Sequence, residues 1–141
     1  MDTWVLFIFA VIMKRVITQV QLRFGDFDMY GHLNNSSYLA YADLGKVEFF
    51  ESLLGGVFDP AREGLVIAHI DVDFLAQTRV GESVQVITSC TGVGTTSLKL
   101  RQEISNGEGE LKAVVNSVMV QFDLSTGVPA PVSEQWRELL S

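Results

Sequence analysis

One short segment of the chain gathers side chains that could do acid–base or acyl-transfer chemistry. The segment reads RFGDFDMYGHLNNSSYLAYAD and contains Asp26, Asp28, His32, Asn34 and Asn35. A structural loop needs turn-forming residues, but it does not need this density of carboxylate, imidazole and amide groups. Because an apolar stretch with helical spacing follows directly, the segment predicts a functional loop at the start of a helix.

The start of a helix favours oxygen chemistry. The first backbone N–H groups have no partner within the helix, and the dipole is positive there, so negative charge that develops on an oxygen is stabilised. Asp28 precedes the predicted helix by a few residues, and its carboxylate can act as a base or as a nucleophile. A carbonyl placed between the two would be polarised from one side and attacked, or hydrated, from the other. The loop therefore predicts half of an acyl-transfer site.

Two elements must position this loop. Residues 16–24 alternate loosely and predict a strand that ends at Gly25. Asn34 or Asn35 can cap a helix that runs to about Leu54 and stops at two glycines. Apolar residues cover so much of this helix that we expect it to be largely buried. Gly45, in its middle, costs up to about 1 kcal/mol relative to alanine, which predicts a close approach of the backbone to a sheet.

The second half of the chain predicts strands joined largely by hairpins. Residues 66–76 alternate apolar and polar side chains over eleven positions, which is typical of a strand. Further strands are predicted at 83–91, 96–104 and 110–122, the last apolar on both faces like a central strand, and a short helix at 133–140. The order predicts an α+β domain in which a twisted antiparallel sheet wraps around one buried helix.

Length, charge and cysteine content limit the class of protein. A chain of 141 residues predicts one domain, 1–141. The formal charge of −7 argues against nucleic acid as a general partner, because phosphate binding needs a basic surface. Cys90 is the only cysteine, so an internal disulfide is impossible and a reducing, cytoplasmic location is expected. Its strand-like surroundings predict an ordinary core residue rather than a reactive thiol.

The N-terminus carries a solid apolar run, WVLFIFAVIM, from Trp4 to Met13. Ten residues are about half the length needed to span a bilayer, and no positive segment precedes them, so neither a membrane span nor a signal peptide is expected. Three interpretations of the extension 1–13 stay open. It is an extra buried or interfacial strand, a peripheral membrane contact, or an artefact of start-site choice with Met13 as the natural beginning.

The loop pattern resembles a known family. Asp-x-x-Gly-His-x-Asn-Asn-x-x-Tyr, from Asp28 to Tyr38, is similar to the signature of hotdog-fold acyl-CoA thioesterases, closest to the 4-hydroxybenzoyl-CoA thioesterase group. The resemblance continues through YLAYADLGKVEFF and HIDVDFLAQTRVGESVQV and covers roughly residues 16–122. It implies a hotdog fold, with a five- or six-stranded antiparallel sheet around one long central helix. It also implies a homodimer or homotetramer with the active site where two subunits meet.

The resemblance also implies roles for individual residues. Asp28 matches the catalytic carboxylate, which is either a nucleophile or a general base on water. The backbone N–H of Asn35 matches the group that holds the thioester oxygen, while the side chains of His32, Asn34 and Asn35 order the loop or orient the substrate. No metal or redox cofactor is expected, because the thioester is already activated and coenzyme A is part of the substrate.

Several residues near the loop have more than one interpretation. We expect Asp26 to make a structural hydrogen bond. His32 is either a satisfied loop histidine or a substrate contact, and Tyr38 is either a core residue or part of the substrate site. A pocket lining is predicted from the aromatic and apolar residues of the loop and beyond: Phe24, Phe27, Met29, Tyr30 and Phe58.

Charged residues outside the loop complete the prediction. His69, Asp71 and Asp73 share a strand face but stand about 6–7 Å apart at each step, so we expect a polar face, with a subunit contact as one place for it, rather than a metal site. The helix acids Glu48 and Glu51 are expected to face solvent. Phosphate contacts to coenzyme A are predicted from basic residues, with Lys99 and Arg101 favoured over Arg62 and Arg79.

The sequence thus predicts an enzyme that hydrolyses acyl-CoA or acyl-carrier-protein thioesters to a free carboxylic acid and a thiol. The alternative from a different class is a non-catalytic module that binds acyl-CoA or acyl-carrier protein on the same fold. Asp28 favours the enzyme, because a binding module could dispense with it. A hotdog dehydratase is disfavoured, since it would need its histidine and acid in a different arrangement.

Overall fold

The protein folds as a six-stranded antiparallel sheet with one long helix packed on it, in a computed structural model that describes residues 2–4 and 14–141. The elements are β1 (Arg15–Val20), a 3₁₀ turn (Phe24–Asp26), α1 (Asn35–Leu54), β2 (Glu63–Phe74), β3 (Val84–Val93), β4 (Ser97–Asn106), β5 (Leu111–Asp123), β6 (Val128–Pro129) and α2 (Glu134–Leu140). The strand order is β1-β3-β4-β5-β2, with β6 also paired to β5. This is the predicted α+β hotdog fold.

Gly45 brings α1 against the sheet, as its position in the sequence predicts. A Cβ atom at this residue would lie 2.8 Å from Val86 Cγ1 and 3.0 Å from both Gln102 Nε2 and Thr88 Oγ1. The buried Gln102 amide donates to the backbone carbonyl of Ala42 at 2.7 Å, which ties the helix to β4. The lack of a side chain at position 45 therefore sets how closely the helix approaches the sheet.

The helix is less buried than expected. Its sheet side holds Tyr38, Tyr41 and Phe49, each at most 3% exposed. On another face, Leu44 and Val47 are 54% and 57% exposed. The expectation of a largely buried helix is wrong for the single chain, because the sheet covers only one side of α1.

Strand β2 lies at the edge of the sheet and exposes apolar side chains. The alternating pattern predicts a strand, which is confirmed, but Val66, Ile70 and Phe74 are 52%, 36% and 50% exposed. The pairing with β5 shifts between Ile67 and His69, where a bulge interrupts the alternation. The buried face expected from the alternation is therefore largely uncovered within one chain.

The first strand is shorter than expected, whereas the C-terminal helix lies where it was expected. The first strand stops at Val20 rather than Phe24, because its pairing ends at Val84, where β3 begins, and the 3₁₀ turn Phe24–Asp26 follows. The C-terminal helix α2 is confirmed, and the hydroxyl of its N-cap Ser133 accepts a hydrogen bond from the N–H of Trp136. Buried Trp136 and Leu140 close one end of the core.

Other expectations concern the N-terminal run and Cys90. Apart from Trp4, the apolar run lies outside the described residues, and its three interpretations stay open. Among the residues that are described, no helix is long and apolar enough to span a membrane. Cys90 is half-buried beside the core, and burial raises the pKa of its thiol, which agrees with the predicted packing role.

Candidate active site

The Asp28 carboxylate is held by its own loop. Its Oδ1 accepts hydrogen bonds from the backbone N–H groups of Tyr30, at 2.8 Å, and His32, at 3.1 Å. The Asp28 N–H donates to the carbonyl of His32 at 2.8 Å, and the turn between them uses Gly31 at φ +73°, which favours glycine. Within residues 2–4 and 14–141, no donor reaches Oδ2. One oxygen thus orients the carboxylate, and the other stays free for chemistry.

The start of α1 leaves backbone donors open. Asn34 is the N-cap residue, in an extended conformation, and its side chain makes no capping hydrogen bond. The N–H of Asn34 donates to the carbonyl of Asp26, and its own carbonyl accepts from the N–H of Ser37. In the described part of the chain, the N–H groups of Asn35 and Ser36 have no acceptor. These open donors are what an oxyanion site requires.

Asp26 fastens the loop to the helix. Its Oδ2 accepts a hydrogen bond from the Tyr41 hydroxyl at 2.7 Å and another from the Arg23 N–H at 3.1 Å. The hydrogen bond from Tyr41 is the main cause that holds the pKa of the Asp26 carboxyl below its usual value, and it outweighs the opposing effect of burial. The structural role expected of Asp26 is confirmed.

Asp28 and the helix start face the same space. A cavity of about 380 Å³ is lined by Asp28, His32 and Asn35 from the loop and helix start, by Leu33 and Tyr38, and by Phe74, Leu75, Ala76 and Gln77 at the end of β2 and beyond it. The structure therefore brings together four of the predicted site residues, Asp28, His32, Asn35 and Tyr38, in one cleft. Asn34 does not line this cleft and instead joins the loop to the helix through its backbone.

His32 and Tyr38 have structural partners and also line the cleft, so their substrate roles stay a prediction. Tyr38 is 3% exposed, and its hydroxyl donates to Thr78 Oγ1 at 3.0 Å while its ring packs edge-on against Phe74. His32 is half-buried, and its backbone forms an isolated bridge with Arg79. Both residues have structural partners and both line the cleft, so neither interpretation excludes the other.

The basic residues predicted to bind phosphate lie elsewhere in the chain. Lys99 alternates on β4 with Leu98 and Leu100, which are buried against the core, so Lys99 faces away from α1. Arg101 lies on the same outer face and pairs with Glu103 at 3.4 Å. A single chain does not bring this pair to the Asp28 cleft. Their phosphate role stays a prediction, and Arg79 is the basic residue whose backbone borders the loop.

The outer face of β2 carries the histidine and aspartates that share a strand face. His69 Nε2 lies 3.3 Å from Asp71 Oδ2, and both side chains are exposed. Among the described residues, no group of three or more histidine, cysteine, aspartate or glutamate side chains could hold a metal ion. Glu48 and Glu51 are exposed, as expected.

Within the single chain, the residues predicted to line one pocket lie in different surroundings, and their shared lining stays a prediction. Phe24, Met29 and Tyr30 are 94%, 88% and 75% exposed, and Phe27 packs beside the core. Phe58 lines a second, apolar cavity of about 650 Å³ between the C-terminal half of α1 and the Met119 region of the sheet.

Sequence reasoning missed the wall of the cleft that follows β2. The alternating pattern predicts Leu75 and Ala76 as the end of the strand, but β2 ends at Phe74, and Leu75, Ala76 and Gln77 line the cleft beyond it. The hydrogen bonds that hold this segment come from residues more than thirty positions away.

Comparisons with known proteins agree with this geometry. The uncharacterized protein YsmA of Bacillus subtilis (strain 168) is 28% identical over 122 residues, which are 86% of this chain and 82% of YsmA. A predicted thioesterase from Bacillus stearothermophilus is similar in structure, with a TM-score of 0.79 and 30% identity over 89% of this chain and 93% of that one.

A thioesterase from Thermus thermophilus, complexed with coenzyme A and Zn, has a TM-score of 0.75 and 32% identity over 89% of this chain and 90% of that one. A family model matches residues 22–140, which include the loop, the helix α1, strands β2 to β6 and all of α2. The chain belongs to the thioesterase-like superfamily.

Proposed function

We propose that the protein hydrolyses acyl-CoA or acyl-carrier-protein thioesters to a free carboxylic acid and a thiol. The observation that carries this proposal is the shared cleft, which is lined by Asp28, one of whose carboxylate oxygens accepts no hydrogen bond in the described part of the chain, and by Asn35, whose N–H has no acceptor there. A thioester carbonyl in this cleft would be polarised by Asn35 while Asp28 acts on its carbon or on water. A positioned acid or base contributes about 10²–10⁴ in rate, and one oxyanion donor about 10²–10³.

Two routes fit one free carboxylate oxygen. In the first, Oδ2 of Asp28 takes a proton from water as the water oxygen bonds to the carbonyl carbon, the C–S bond breaks, and the thiolate leaves and gains a proton. In the second, Oδ2 bonds to the carbonyl carbon, the thiolate leaves, and water hydrolyses the resulting anhydride. In both routes the N–H of Asn35 would stabilise the tetrahedral oxyanion, and neither needs a metal or a redox cofactor.

Coenzyme A is the thiol that we favour. The Thermus thermophilus thioesterase, 32% identical to this chain, is complexed with coenzyme A. Lys99 and Arg101 are the phosphate contacts that we propose, reached across a subunit contact rather than within one chain. The single half-buried cysteine supports a reducing, cytoplasmic setting.

We propose a homodimer or homotetramer as the working form. Strand β2 pairs with β5 on one side, and its other side pairs with no strand in the described part of the chain. The exposed side chains Ile67 and Phe74, on the face of this strand that lies toward α1, and Leu44 and Val47 on α1 form an apolar face that a second copy can cover.

A panel assay tests the proposal. Thiol release is measured from aliphatic and aromatic acyl-CoAs with the parent protein, with Asp28→Asn and with the control Asp59→Asn. Asp59 also accepts a backbone N–H two residues on, from Ala61, but it lies outside the cleft. We expect turnover by the parent and the control and a loss of about 10²–10⁴-fold in Asp28→Asn. Tight binding of acyl-CoA without turnover in the parent would favour the non-catalytic module.

A further inference from the structure

Lys112, on β5, hydrogen-bonds the segment Leu75–Gln77, which forms one wall of the Asp28 cleft. Its side chain is only 3% exposed, yet its ammonium group has three acceptors. It donates to the carbonyl of Gln77 at 2.8 Å, pairs with Glu82 at 3.0 Å and forms a close ion pair with Glu110. The three acceptors match the three N–H donors of an ammonium group, which makes the arrangement fully satisfied.

The backbone of the same residue holds the neighbouring part of the wall. The carbonyl of Lys112 accepts hydrogen bonds from the N–H groups of Leu75, at 2.8 Å, and Ala76, at 3.1 Å. One residue thus fixes three successive residues, Leu75 to Gln77, all of which line the Asp28 cleft.

The segment after this wall is in turn bonded to the catalytic loop. The carbonyl of Thr78 accepts the N–H of Leu33 at 2.8 Å, and Thr78 Oγ1 accepts the Tyr38 hydroxyl. His32, whose N–H holds the Asp28 carboxylate, pairs through its backbone with Arg79. A shift of the segment at Gln77 would therefore be transmitted to the loop that carries Asp28.

Glu82 lies at the end of the segment that follows the wall and pairs with the same Lys112 ammonium group. Its Oε2 accepts the N–H of Arg79 at 2.6 Å, and its Oε1 accepts the side-chain amide of Asn106 at 3.1 Å. The hydrogen bond from Arg79 is the main cause that holds the pKa of Glu82 below its usual value, and Lys112 adds to the effect. Without the ammonium group, Glu82 and Glu110 would face each other with no cation between them.

We infer that Lys112 is a positioning residue for thioester hydrolysis, which acts by fixing residues 75–82 and, through them, the Asp28 loop. The inference rests on the proposed function for its kinetic consequence, but its structural consequence can be measured independently. If Lys112 were purely structural, its substitution would lower the free energy of unfolding and change nothing else. If Lys112 is a positioning residue, its substitution also loosens the backbone hydrogen bonds of the cleft wall and slows the chemical step.

The test compares Lys112→Met, Lys112→Arg and Glu82→Gln with the control Leu140→Ala, which removes core packing in α2 away from the cleft. Amide hydrogen exchange is followed in peptides that contain Leu33 and Leu75–Ala76, at a temperature where all variants remain folded. Thiol release gives kcat and KM under the same conditions. Glu82→Gln keeps an acceptor for Arg79 and serves if Lys112→Met does not fold.

We expect Lys112→Met to exchange these amides faster and to lose about 10- to 100-fold in kcat, with a smaller change in KM. Glu82→Gln should move both readouts in the same direction by less, and Lys112→Arg should restore part of the loss. Leu140→Ala should change neither. Equal exchange in Lys112→Met and Leu140→Ala, with kcat unchanged, would overturn the inference. If the parent releases no thiol, the proposed function fails, and hydrogen exchange alone decides the role of Lys112.

Discussion

The hydroxyl of Tyr41 lies 2.7 Å from Oδ2 of Asp26, and this hydrogen bond joins the second turn of α1 to the loop that carries Asp28. The carbonyl of the same aspartate accepts the N–H of Asn34, at the helix start. One residue therefore fixes both sides of the cleft, because Asp28 follows it by two positions and Asn35 follows Asn34. Burial and the neighbouring carboxylate raise the pKa of Tyr41, so its hydroxyl remains a donor through the neutral range.

This arrangement predicts how stability depends on pH. Hydrogen bonds to the ionised form lower the pKa of Asp26 in the folded state, so the group stabilises the fold above its unfolded pKa of about 3.9. That contribution is lost as the pH falls through the folded value. We expect the difference in free energy of unfolding between the parent and Asp26→Asn to be full at pH 7 and to shrink below about pH 4. Urea denaturation at several pH values measures it.

A matched control for this measurement is Asp59→Asn, at an exposed carboxylate whose hydrogen bond from the N–H of Ala61 the asparagine Oδ1 can still accept. Its difference from the parent should stay small at every pH. A stability difference for Asp26→Asn that is the same at pH 7 and pH 3 would show that the ionised carboxylate is not the form that stabilises the loop.

Two substitutions at Asp28 should separate its structural role from its chemical role. Asparagine keeps the Oδ1 acceptor for the N–H groups of Tyr30 and His32, whereas alanine removes it. We expect Asp28→Asn to unfold at the parent's denaturant midpoint and Asp28→Ala to lose about 1 kcal/mol. Both variants should lose about 10²–10⁴-fold in thioester hydrolysis. Full activity in Asp28→Asn would exclude the carboxylate as base or nucleophile.

The close contact between α1 and the sheet predicts that one added methyl group at Gly45 lowers the free energy of unfolding. Gly45→Ala would improve helix propensity by up to about 1 kcal/mol, but its Cβ would overlap Val86 and crowd Gln102. Overpacking of this kind costs about 1–3 kcal/mol, so we expect net destabilisation in urea denaturation. Gly56→Ala is the control, because a Cβ there meets no atom within 4 Å. Stabilisation by Gly45→Ala would contradict the close approach.

The sequence predicted the features that depend on interactions between residues close together in the chain. The long helix, the strands after it and the loop around Asp28 follow from period, caps and turn residues, and the structure places them within a few residues. Asp26 as a structural group was also predictable, because aspartates in loops commonly hydrogen-bond the nearby backbone. Gly45 as a point of close approach was predictable because glycine is unfavourable within a helix unless a neighbour requires it.

Features that depend on distant contacts were not predictable. The exposure of Val66 and Phe74 depends on what covers an edge strand, and the alternation of residue types does not report the bulge at Ile67. The wall of the cleft depends on Lys112, more than thirty positions from Gln77. No local pattern encodes such a pairing, because it forms only when β2 and β5 align.

The outer face of β4 predicts an effect on substrates that carry phosphates. Lys99→Glu together with Arg101→Glu should raise KM for acyl-CoA by about 10-fold or more, since two attractive contacts become repulsive, while kcat stays close to that of the parent. Acyl N-acetylcysteamine thioesters lack the nucleotide and should be hydrolysed equally by both proteins. An unchanged KM for acyl-CoA would remove these two residues from the phosphate site.

The uncovered apolar face predicts the effect of a charge on assembly. Ile67 on β2 is 40% exposed and Val47 on α1 is 57% exposed, and a second copy would bury both. A carboxylate placed in such an interface would have to be desolvated without a partner, so Ile67→Asp should convert the proposed oligomer into monomers in sedimentation velocity experiments. Val128→Asp, at an exposed position on β6, should leave the assembly unchanged. If the cleft is completed by the second subunit, the Ile67→Asp monomer should also lose hydrolysis while its circular dichroism spectrum stays that of the parent. An Ile67→Asp protein that sediments like the parent would place the subunit contact on another face.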